Sequence, residues 1–135
     1  MKFLPGLVAC LCCVVACASD WTAFRGGAGD GHSAAKNLPS EWSQEKNIAW
    51  KIELPGAANG SPIIAGDRVL LTSATDKGTT RTLHCFSAAD GSEQWKADVT
   101  YDREMPTHKT NLYGGTTPAS DGKVVVVWHG SAGLY

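Results

Sequence analysis

The chain has 135 residues, twelve Lys and Arg against thirteen Asp and Glu, and a formal charge of −1. So even a balance excludes an electrostatically driven nucleic-acid binder, because affinity for phosphate comes from clustered Lys and Arg. A hydrophobic fraction of 43% likewise excludes a disordered tail.

The first twenty residues read as an address. Lys2 supplies a positive charge, and Phe3 to Ala16 form an apolar run with one Pro and one Gly. That run is too short for a bilayer core, which needs about 20 helical residues, and it fits the apolar region of a secretory signal. Two cleavage patterns are present. Ala16-Cys17-Ala18 suits cutting after Ala18, whereas Val14-Val15-Ala16-Cys17 resembles a lipobox in which Cys17 would carry a lipid. Cutting after Ala18 takes away Lys2 and no acidic residue, which leaves 117 residues with a net charge of −2. It also removes Cys10, Cys12, Cys13 and Cys17. Only Cys85 remains, so the mature chain can form no internal disulfide, and its place in an apolar run marks a core residue rather than a nucleophile.

From there the chain reads as strands and turns. Segment 61–74 has two apolar runs around Gly66-Asp67, a hairpin pattern. Thr80–Phe86 forms a third run, Asp90-Gly91 a turn, and Glu93–Val99 a fourth run carrying Trp95. Thr117–Ser120, Lys123–Trp128 and the start of a run at Leu134-Tyr135 continue the theme. No sustained 3.6-residue period appears after the leader, so the fold class is all-β.

These runs repeat. Ser61-Pro62 recurs as Thr117-Pro118 and Gly66 as Gly122, both 56 residues on, and Trp50-Lys51 recurs as Trp95-Lys96, 45 residues on. Such periods fit four-stranded antiparallel propeller blades, the longer one absorbing an insertion at Thr100–Gly115. Gly66 and Gly122 suit tight turns, and the tryptophans offer flat surfaces to pack between neighbouring sheets. The alternative is an ordinary sandwich whose turns coincide.

The run from Leu83 to Trp95, with Asp90-Gly91 followed four residues later by Trp95, resembles the blade motif of PQQ-like β-propellers. Ser87 stands where that motif commonly has Asp. Trp21-Thr22-Ala23-Phe24-Arg25-Gly26 resembles the leader of exported bacterial members, among them BamB-like proteins, and so do Trp42 and Asn47–Lys51. The resemblance implies a signal at 1–18, a leader at 19–47 and an incomplete propeller at 48–135, in which Ile48–Ile52 enters the outermost strand of the closing blade. About one and a half blades are then present, so the chain is expected to be an N-terminal fragment with an uncovered sheet face. Gly66, Asp90, Gly91, Trp95 and Gly122 are the structural blade residues.

Candidate chemistry is sparse. Gly26 to Gly31 lack the GxGxxG spacing and follow no strand, and no GxSxG elbow or P-loop occurs. Asp98, Asp102 and Glu104 offer oxygen donors suited to calcium but read as a solvated loop. His84, His108 and His129 never fall at a zinc spacing. The insertion carries His108, Asn111 and Tyr113, which either line a ligand pocket where loops converge or tie the loop to its own sheet.

Two functions follow from the resemblance. One is a non-catalytic exported module that binds a protein or polymer in the cell envelope, reaching the membrane only through a lipid on Cys17. The other is a dehydrogenase that oxidises an alcohol or sugar with pyrroloquinoline quinone and calcium. That enzyme class carries an Asp base, a Glu/Asn/Asp calcium shell and often a vicinal disulfide, none of which can be located in the sequence. The binding module is the expectation.

Overall fold

The computed structural model describes residues 20–135; the signal segment and Cys17 lie outside them. The described chain is all-β, with antiparallel sheets and two short 3₁₀ turns. Strands β1 (Ile63–Ala65), β2 (Arg68–Thr75), β3 (Thr80–Ser87) and β4 (Glu93–Thr100) form one four-stranded meander in chain order. Strands β5 (Ala119–Ser120) and β6 (Val125–Val126) pair separately.

Turn chemistry sets the registers. Ala65 pairs with Arg68 across Gly66-Asp67, with Gly66 at φ 60° and its amide donating to Asp20 Oδ1 at 2.8 Å. Between β3 and β4, Asp90 accepts from the Ser92 amide at 3.0 Å and the Ser92 hydroxyl at 2.7 Å. These bonds hold the Asp90 carboxyl below its usual range. The β5–β6 turn is longer, spanning residues 121–124. There Asp121 Oδ1 takes the amides of Val124 and Lys123, and Gly122 sits at φ 88°.

Side-chain alternation gives the large sheet two faces. Leu70, Leu83 and Cys85 on one face pack with Ile63 and with Val127 just past β6 into the apolar core, flanked by Ala65 and Val125. Burial in that core pushes the Cys85 thiol pKa up. Residues 50–57 run from the β3–β4 turn to the far end of β2. Trp50 Nε1 donates to Ala88 O at 2.9 Å, and Ala57 pairs with Ala74 through two 2.9 Å backbone bonds. Seven peptide steps of extended chain reach about 23 Å, the length of an eight-residue strand.

The two repeats lie side by side. The Ser61 amide donates to Thr117 Oγ1 at 3.0 Å, and the Asn59 and Gly60 amides both donate to Gly114 O. Trp21 pairs with Ile64, while Thr22 accepts from the Ser120 amide, so the leader bridges β1 and β5. Leu134-Tyr135 opens a further pairing, exchanging two 2.9 Å bonds between Tyr135 and Val127.

Two expectations change. Ile48–Ile52 forms no strand; it is held by the Trp50 indole and by Ile52 packing at Gly91 rather than by a ladder. The runs 117–120 and 123–128 shrink to two-residue strands. Pro118 offers no N–H to extend the ladder, and Thr116 O is taken by the Thr72 hydroxyl at 2.6 Å.

Candidate functional site

The β2–β3 turn, the β4–β5 insertion and the 3₁₀ turn at Gly130–Ala132 meet around Arg81, the second residue of β3. Alternation places Arg81 on the face of Leu83 and Cys85, toward the second repeat. Its side chain is buried, with the residue only 3% exposed. Nε donates to Gly78 O at 3.1 Å, one terminal nitrogen to His129 O, and the other to Ser131 Oγ at 3.2 Å. The guanidinium carbon lies 5.1 Å from the Tyr101 ring centre and 5.3 Å from that of Tyr113, close enough for cation–π attraction. A cleft of about 310 Å³ opens beside it, lined among others by Met105, Asn111, Tyr113, Thr116 and Ser131. His129, beneath, is buried, and its pKa is lowered first by that burial and then by the Arg81 charge.

The sequence-predicted trio is only partly assembled. Asn111 and Tyr113 line this cleft. His108 does not; it is exposed, and its Nδ1 meets the Thr110 hydroxyl at 2.8 Å and amide at 3.3 Å. The loop is also tied internally: Tyr113 Oη donates to Met105 O at 2.5 Å, Thr107 Oγ1 donates to Asn111 O, and the Asn111 amide donates to His108 O at 2.9 Å. The Tyr113 ring lies against Gly78, where an added Cβ would come within 2.3 Å of it. Arg81 was not singled out in the sequence. Its signal is a cation on the core-facing side of an otherwise apolar alternation, a position that demands partners.

A second constellation crosses three strands on the opposite face. Ser73 Oγ lies 2.8 Å from His84 Nε2, and His84 Nδ1 lies 2.9 Å from Glu93 Oε1. Serine, histidine and carboxylate in that order have the connectivity of a nucleophile–base–orienter triad. Access decides against that role. Ser73 and His84 are each 1% exposed, and His84 stacks on Phe86 with ring centres 5.6 Å apart. A nucleophile must meet its substrate, and here the serine is 1% exposed. The relay is a polar network, buried at Ser73 and His84 and open to solvent at Glu93, that satisfies the imidazole on both nitrogens.

The remaining candidates disperse. Asp98 accepts from Thr82 Oγ1 at 2.7 Å and lies 3.8 Å from Lys96 Nζ, while Asp102 and Glu104 are exposed. Among the described residues no three His, Cys, Asp or Glu gather into a group that could hold a metal ion. Of the blade residues, Gly66, Gly91 and Gly122 all take positive φ, and Trp95 is 41% exposed.

A family model described as outer membrane protein assembly factor BamB matches residues 35–135. No curated protein and no solved structure matches the chain.

Proposed function

On the premise that this chain belongs to the BamB-like family of PQQ-like repeats, we propose that it is a non-catalytic binding module of the cell envelope. In this reading residues 1–18 direct export, and the partner is a protein engaged in outer-membrane protein assembly. The observation that carries the proposal is the family match across residues 35–135, to a model named for an assembly factor.

The polar chemistry of the described residues supports the same reading. Ser73 and His84 of the Ser73–His84–Glu93 relay are buried, and the Asn111–Tyr113 loop is closed by its own hydrogen bonds. The donor set for a calcium-bound quinone does not fit the described residues. Asp98 is committed to Thr82 and faces Lys96, and Cys85, the one free thiol among the described residues, is buried.

Affinity capture of the tagged full-length protein from crosslinked cell envelopes tests the proposal. The expected result is a reproducible, stoichiometric outer-membrane assembly component. Recovery of the protein alone, at crosslinker levels that trap known envelope complexes, overturns it.

A further inference from the structure

The geometry points to a carboxylate-binding site in the cleft between the two repeats, with Arg81 as its charged anchor. A guanidinium has five N–H donors, and three of those on Arg81 are engaged, by Gly78 O, His129 O and Ser131 Oγ. All three acceptors are neutral. Among the described residues Arg81 makes no ion pair. Glu104 and Asp76 line the neighbouring cleft on the other side of Tyr113. A cation this buried is costly unless a charge or a full set of hydrogen bonds compensates it. The two rings and three acceptors do so in part, and one N–H on each terminal nitrogen remains.

A second orphan group lines the same cleft. Thr116 Oγ1 is buried and has no hydrogen-bond partner, although buried polar atoms are nearly always paired. The unpaired hydroxyl and the guanidinium with two uncommitted N–H groups belong to two residues that line one cleft, and they supply donors and no negative charge. That pattern asks for an anionic acceptor. A carboxylate fits best, because its two oxygens match the planar fork of a guanidinium. The Asn111 amide and the Ser131 hydroxyl add polar groups, and Met105 and Leu112 add apolar wall. About 310 Å³ is at the small end of ligand cavities, enough for a small organic acid or for one acidic side chain of a peptide. The inference does not rest on the scaffold reading, and either can fail without the other.

The Arg81 Nε–H resonance of ¹⁵N-labelled full-length protein is the readout. The probes are sodium acetate, a capped peptide carrying one Glu, its Gln counterpart, and inorganic phosphate, all against chloride at equal ionic strength. Saturable shifts of Arg81 with acetate or the Glu peptide, and none with the Gln peptide, are expected. A tighter Glu peptide places the carboxylate on a polypeptide, and a response to acetate alone places it on a small acid. Arg81→Gln also removes structural bonds, so Thr116→Val and Asn111→Ala, which keep the cation, are the decisive variants. Thr116→Val is expected to weaken acetate binding about 2- to 10-fold, the loss of one hydrogen bond. No saturable shift with either carboxylate, a response to phosphate only, or binding unchanged in both variants would overturn the assignment.

Discussion

Ser61 and Thr117, 56 residues apart and each the residue before a repeat proline, are joined by a 3.0 Å bond from the Ser61 amide to Thr117 Oγ1. Equivalent points of two repeats thus meet directly, and the hydroxyl fastens one to the other. Thr117→Val keeps the shape and removes the acceptor, leaving the Ser61 amide without its partner. A loss of about 1–2 kcal/mol in denaturant unfolding is expected, with Thr117→Ser close to wild type.

The Trp50 indole occupies the space over Gly91. A Cβ at Gly91 would come within 2.6 Å of the ring, and the residue sits at φ 73°. Gly91→Ala therefore meets both a clash and a left-handed backbone, and should cost more than about 1 kcal/mol. Trp50→Phe should cost a comparable amount, from the lost bond to Ala88 O and the smaller ring. Chemical denaturation checks both. If Gly91→Ala matches wild type, Trp50 does not dock there.

The Ser73–His84–Glu93 relay predicts stability without reactivity. A fluorophosphonate probe should leave Ser73 unlabelled in the folded protein, because the hydroxyl is 1% exposed. Ser73→Ala should destabilise by about 1–3 kcal/mol by stranding a buried imidazole nitrogen. Labelling of Ser73 at native pH would show that the site opens and that the serine is available.

The pH dependence of stability should carry the signature of His129. Burial, then the nearby Arg81 charge, hold its folded-state pKa below the ordinary value of about 6.5. Between those two pKa values the unfolded chain takes a proton that the folded chain refuses. The His129 contribution is therefore complete above about pH 6.5 and is lost as the pH falls below it. His129→Asn should flatten the denaturation midpoint between pH 7.5 and 5 relative to wild type. Asp90 and Asp121, whose pKa values are lowered by the Ser92 and Val124 amides, act below about pH 3.8 and outside that window. Parallel profiles for wild type and variant would contradict the assignment.

Much of the sheet was legible because local chemistry decides it. Gly66-Asp67 and Asp90-Gly91 set the turns between runs of alternating residues, and the strands β2 to β4 follow within a residue or two of the expected bounds. Segment 48–52 has strand-like composition, yet it is fixed by one indole and by packing at Gly91, which composition does not reveal. The polar sites depend on register. A β-bulge between Cys85 and Phe86 sets Glu93 opposite Phe86, with Trp95 opposite Cys85. Without that extra residue Glu93 would face Ser87 and point to the other side of the sheet, away from His84. Arg81 depends on a still longer relation, since Tyr113 and Ser131 reach it only once the second repeat is in place.

The central claim, a binding module rather than a quinone enzyme, is tested most directly by reconstitution. The full-length protein is incubated with pyrroloquinoline quinone and calcium, desalted, and followed by quinone absorbance and by dye reduction with alcohols and sugars. The expected result is no retained quinone and no dye reduction above the protein-free control. Stoichiometric quinone retention with substrate-dependent dye reduction would contradict it.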